Sequence, residues 1–98
     1  MIKILTSKER ASLKAMANSI ETIVHIGKSG ITENIIKQAE DAITARELIK
    51  LRVLEGSPLS SREAAEQIAL TVKAQVVQVI GTRFILFRQN NEKPVIKI

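Results

Sequence analysis

The β-branched run Thr22-Ile23-Val24-His25-Ile26 stops at Gly27-Lys28-Ser29-Gly30, and a helical repeat begins immediately after Thr32. Such a run favours a strand, two glycines three apart favour a tight turn, and Thr32 is a good N-cap. The segment therefore reads as strand, turn, helix. Ile31, Ile35, Ile36, Ala39, Ala42 and Ile43 form the apolar stripe of that helix. From Leu48 to Leu54 the pattern alternates again, with Ile49, Leu51 and Val53 on one face and Leu48, Lys50 and Arg52 on the other. A strand, a crossover helix and a second strand make a parallel, right-handed unit.

The remaining elements follow from capping and turn signals. Thr6 with Glu9 forms a capping box ahead of Leu13, Met16, Ala17 and Ile20, which predicts a first helix over Ser7–Asn18. After the loop Glu55-Gly56-Ser57-Pro58, Ser60 and Glu63 repeat that signature and open a helix reaching Lys73. Val76–Ile80 and Arg83–Arg88 read as strands joined by Gly81-Thr82, an antiparallel hairpin. The order αβαβαββ predicts a two-layer α/β domain with three helices on a four-stranded mixed sheet. Residues 1–98 make one domain with a core over about 4–90 and a short polar tail over 91–98. The closing run Val95-Ile96-Lys97-Ile98 fits an extra edge strand or a frayed end equally well.

Charge narrows the function classes. Fifteen Lys and Arg against ten Asp and Glu give a net charge of +5, which biases the chain toward polyanions. No apolar run reaches the roughly 18 residues needed to span a bilayer, so a nucleic acid is favoured over a membrane. The lack of cysteine removes disulfides and thiolate metal sites and fits a cytoplasmic location. His25 is the one histidine and lies inside a strand pattern, where a packed or surface role is the ordinary one. Nothing implies a metal, a cofactor, a small-molecule substrate or a catalytic constellation. The glycine turn lacks the Gly-Lys-Ser/Thr ending of a nucleotide-binding P-loop.

Three blocks in register then carry a family resemblance. Ile26-Gly27-Lys28-Ser29-Gly30-Ile31-Thr32, Arg46-Glu47-Leu48-Ile49-Lys50-Leu51-Arg52-Val53, and Val76-Val77-Gln78-Val79-Ile80-Gly81 before Leu86-Phe87-Arg88 resemble the signature blocks of the CRM domain. The opening Leu5-Thr6-Ser7-Lys8-Glu9-Arg10 is similar to the bacterial stand-alone, YhbY-like members. The resemblance implies a fold similar to the C-terminal domain of translation initiation factor three, and RNA binding rather than catalysis. It also implies a connection to precursors of the large ribosomal subunit. One departure is Leu86-Phe87-Arg88, where members commonly carry Leu-Tyr-Arg.

The candidate RNA-binding residues are Gly27, Lys28, Ser29, Gly30, Thr32, Lys37, Lys50, Arg52, Arg83 and Arg88. Bare backbone at a Gly-x-x-Gly turn lets a phosphate approach closely, and the helix behind it presents its positive end. The competing reading is a tight connection that needs glycine only for its positive φ. For the strand cations, the competing reading is a charged edge that resists aggregation. Glu47 reads as the partner of a neighbouring cation, and Lys8, Arg10 and Lys14 as solvated helix faces. Phe84 and Phe87 sit in an apolar hairpin and read as core, which disfavours recognition by base stacking on sheet aromatics. The alternative function is a module that docks on a ribosomal or assembly protein.

Overall fold

The computed structural model describes residues 5–90 and 92–96. Its elements are α1 (Ser7–Ala17), β1 (Thr22–Ile26), α2 (Glu33–Arg46), β2 (Leu48–Val53), α3 (Ser61–Val72), β3 (Gln75–Ile80) and β4 (Arg83–Phe87). All seven expected elements are present, with ends that move by a residue where a cap intervenes. Both capping boxes form, Thr6 with Glu9 and Ser60 with Glu63, and α3 stops at Lys73, which turns left-handed at φ 58°.

The sheet order is β1-β2-β4-β3. β1 pairs parallel with β2, and β4 pairs antiparallel with both β2 and β3. β3 therefore runs in the same direction as β2, with β4 lying between them. The short Gly81-Thr82 turn folds β4 back into this central slot.

Helices α2 and α3 cover one face. Ile35, Ala39, Ile43, Ala65, Ile68 and Val72 pack there against Val24, Ile26, Ile49, Leu51, Phe84 and Leu86. The sequence left the position of α1 open, and the structure puts it on the opposite face. Leu13 and Ala17 cover Leu48, Val77, Ile85 and Phe87, adding a partial third layer to the two expected. At 11 residues α1 is about 16 Å long, enough for only one end of that face. Both phenylalanines are core, at 0% and 1% exposure. The Phe87 ring, without a hydroxyl, occupies apolar surroundings where a hydroxyl would need a partner.

Two polar side chains depart from their expected roles. Glu47 is fully buried, at 0% exposure and φ 66°, and its partner is not a cation. Its carboxylate accepts backbone N–H groups from Asn90 (2.6 Å), Val95 (2.8 Å) and Ile96 (2.5 Å). A buried carboxyl group is tolerated when hydrogen bonds replace its water, and three backbone amides do so here. Val95 and Ile96 are thereby held in bends rather than in a strand, while Lys97 and Ile98 lie outside the described residues. Arg10 is not merely solvated. Its guanidinium donates to the carbonyls of Val76 (2.5 Å) and Val77 (3.3 Å), where β3 carries a bulge.

Replacing Glu47 with Gln sets an amide N–H against backbone donors. Urea unfolding of Glu47→Gln should show a loss of about 1–3 kcal/mol, and hydrogen exchange should speed up at the Val95 and Ile96 amides. Unchanged exchange there would disprove the pin.

Candidate nucleic-acid interface

The glycine turn is built as a closed β-turn, with the Gly30 N–H donating to the Gly27 carbonyl at 3.0 Å. Lys28 and Ser29 occupy its two central positions and are exposed. Thr32 caps α2, its hydroxyl oxygen accepting the Ile35 N–H at 3.2 Å. Because the oxygen is used in this way, Thr32 belongs to the scaffold of the turn.

The two glycines do different work. Gly30 has φ +69°, and a Cβ there would stand 3.2 Å from Pro58 Cγ, so backbone conformation and packing both demand glycine. Gly27 has no positive φ, and a Cβ would meet nothing within 4 Å. A turn that needs glycine for its own geometry accounts for Gly30 but not for Gly27. What Gly27 leaves is open backbone facing solvent.

The 54–59 loop braces the turn. Gly56, at φ +93°, lies under the Lys28 side chain, and a Cβ there would be 3.4 Å from Lys28 Cγ and 3.7 Å from Cε. Strand ends tie the loops together, with Leu54 N–H donating to Ile26 (2.8 Å) and Val53 N–H to Thr82 (2.8 Å). The Ser61 hydroxyl donates to the Gly81 carbonyl at 2.6 Å. The turns at 27–30, 54–59 and 81–82 thus share one end of the sheet. Sequence reasoning saw Glu55–Pro58 only as a loop, since its contact with Lys28 depends on the parallel pairing of β1 and β2.

On the sheet face that α1 leaves bare, His25 pairs with Arg52, Arg52 with Arg83, and Arg83 with Ile80. All four are exposed. Lys50 sits in the next row, across from Ile85, half-buried. Like charges directly opposite on antiparallel strands repel, and among the described residues none of Lys28, Lys50, Arg52 and Arg83 has an ion-pair partner. Glu33 and Glu55 are exposed at the same end of the molecule, so the surplus of positive charge is on the sheet side of the turn.

Two predicted site residues lie elsewhere. Lys37 is exposed one turn into α2, on the opposite side of the sheet from Lys50, Arg52 and Arg83. Arg88 follows β4 at the far end from the glycine turn. Its guanidinium donates to both Glu40 oxygens (2.7 and 3.0 Å), to Thr44 Oγ1 (2.6 Å) and to the Val72 carbonyl (2.8 Å). With those donors engaged, Arg88 is a clamp between β4, α2 and the end of α3. Its hydrogen bond is the main reason the Glu40 carboxyl is held below its ordinary value, helped by Thr44 and opposed by partial burial.

Among the described residues no group of three or more His, Cys, Asp or Glu could hold a metal ion. None of their helices is long and apolar enough to cross a membrane.

With this geometry in place, the sequence profile of the CRS1/YhbY (CRM) domain matches residues 5–88. The chain belongs to that family. It is 34% identical over 94 residues to the "Probable RNA-binding protein YqeI" of Bacillus subtilis, covering 96% of this chain and 98% of that one. It is 30% identical over 91 residues to an RNA-binding protein of Haemophilus influenzae, covering 93% and 92% of the two chains. The solution structure of SAV1595 from Staphylococcus aureus, put forward there as an RNA-binding protein, superposes with a TM-score of 0.80 at 38% identity. That match covers 97% of this chain and 99% of the other. Its fold agrees with the expected α/β class and element order.

Alanine substitutions separate the glycines. Gly30→Ala should cost about 1–2 kcal/mol in denaturant unfolding, because φ is positive there. Gly27→Ala should leave stability within about 0.5 kcal/mol of the parent. Equal losses at the two positions would contradict the division of roles. For the clamp, the sign follows from the lowered Glu40 pKa. Its stabilisation is complete above the ordinary value of 4.5 and is lost as the pH falls through the lower folded-state value. A stability–pH curve for Arg88→Met should lack that acid-side decline.

Proposed function

We propose that this protein binds structured RNA through the Gly27–Gly30 turn and the adjoining cationic sheet face, without a chemical step. The observation that carries the reading is Gly27, a glycine that neither its backbone conformation nor its surroundings require, beside the exposed Lys28 and Ser29. A phosphate can approach such a turn to hydrogen-bond distance of the main chain, and Lys28 supplies a mobile counter-charge. Lys50, Arg52 and Arg83 extend the contact along the backbone. Thr32 holds the turn in shape, while Lys37 and Arg88 fall outside this surface. Names of relatives at 30% and 34% identity point to the same class of ligand.

The RNA is ribosomal in this reading, and the role is assistance to large-subunit assembly. With both phenylalanine rings buried, recognition rests mainly on phosphates and shape, which suits a folded RNA. One observation favours the alternative, docking on a ribosomal or assembly protein. Beside the outer strand β1 lies a groove of about 300 Å³ lined by Met16, Ile20, Ile23, Leu48 and Ile96. A complex of that kind would survive nuclease digestion, and an RNA-mediated one would not.

The test is a salt-series titration on large-subunit rRNA fragments. Four cations neutralising phosphates should give a log–log slope of about −3, or roughly 100-fold weaker binding between 50 and 200 mM salt. The double variant Lys28→Asp with Ser29→Asp should lose most of the affinity, and Gly27→Ala should lose affinity without losing stability. A flat salt dependence, or full affinity in both variants, would remove the turn as the RNA clamp.

A further inference from the structure

Where α1 ends, the sheet face is neither covered nor flat. A cleft of about 170 Å³ opens there between Ala17 and Asn18 at the helix end and Gln78, Ile80, Arg83 and Ile85 on the β3–β4 hairpin, with Lys50 at its edge. The β3 bulge shapes it. Val77 is buried under α1 and the next residue, Gln78, lines the cleft opposite Ile85, so two successive residues of β3 serve the same face. Ile80 is 59% exposed beside the cations Arg83 and Arg52.

Building on the RNA-binding reading, we propose that this cleft receives one unstacked nucleobase of the bound RNA. Its volume equals that of about five or six water molecules, too small for the roughly 300 Å³ and upward of an ordinary small-molecule site and suited to a single heterocycle. Ile85 forms an apolar floor and Ile80 an apolar wall. Arg83 offers the flat face of a guanidinium, on which a base can stack while its edge still meets a phosphate. Among the described residues the side-chain amides of Asn18 and Gln78 make no hydrogen bond. Each offers a donor and an acceptor in one plane, the pattern that reads a base edge. Arg52, directly across from Arg83, and Lys50 are placed for the phosphates on either side of the flipped nucleotide.

Paired bases cannot enter, because stacking and pairing hold them inside the helix, and only an unpaired nucleotide can be splayed out. The ligand class is therefore RNA with a bulged or looped-out nucleotide next to a paired stem. Phosphates alone would need no such cleft, and the Gly27–Gly30 turn already serves them.

The experiment compares two RNA hairpins that differ by a single bulged nucleotide, the bulge made in turn with each of the four bases. Both are titrated at one fixed salt concentration against the parent protein, Gln78→Leu and Asn18→Ala. The parent should prefer at least one bulged hairpin by about tenfold, the worth of one held base. Gln78→Leu should reduce that preference to about threefold or less while binding the paired hairpin as the parent does. Asn18→Ala, at an exposed helix end, supplies the same readout should Gln78→Leu fail to fold. Equal affinity of the parent for every hairpin overturns the cleft and leaves backbone binding standing. A preference that persists in both variants also overturns the cleft. Binding to neither hairpin overturns the RNA-binding reading together with it.

Discussion

Parallel pairing of β1 with β2 is the constraint on which the rest of the molecule depends. Two neighbouring strands that run the same way finish at the same end of the sheet, and each must then pass through a loop into a helix. The Gly27–Gly30 turn and the 54–59 loop are thereby forced side by side, close enough for Gly56 to lie under Lys28 and Pro58 under Gly30. β4, antiparallel to β2, starts where β2 stops, so Arg83 is delivered to the same end as Arg52. Were β1 reversed, its turn would open beside Arg88, among side chains that are already fully engaged.

The two ends of the sheet treat their cations in opposite ways. At the end where β4 stops, Arg88 is held by Glu40, Thr44 and a main-chain carbonyl, and the buried Glu47 collects three tail amides. On the α1 side of β3, Arg10 satisfies the carbonyls at the bulge. At the other end, Lys28, Lys50, Arg52 and Arg83 have no acidic partner among the described residues, and two arginines face each other across adjacent strands. Leaving charges uncompensated lowers stability slightly. The loss is sustained by the packed end. A short α1 leaves the cationic end open, since it covers only one end of its face.

Much of this was legible from residue order. The two capping boxes, the β-branched run before Gly27 and the two-residue hairpin connection each have a local cause within a few residues, and each element formed where that cause predicted. Phe84 and Phe87 were legible as core because they alternate within an apolar strand. Arg88, Arg10 and Glu47 were not. Their roles come from partners 16 to 48 residues away for Arg88, 66 or more for Arg10 and 43 or more for Glu47, and no local pattern distinguishes a solvated cation from one that binds a distant carboxylate.

By itself the sequence determined the identity and order of the elements, the glycine turn, the excess of positive charge and the family to which the blocks belong. These are set by short-range backbone preferences and by composition. Tertiary structure alone decided which face α1 covers, that β4 lies between β2 and β3, which cations stay unpaired, and that Gly30 is required by its turn while Gly27 is not. Those outcomes depend on distances between segments remote in sequence, and such distances exist only once the strands have chosen their neighbours.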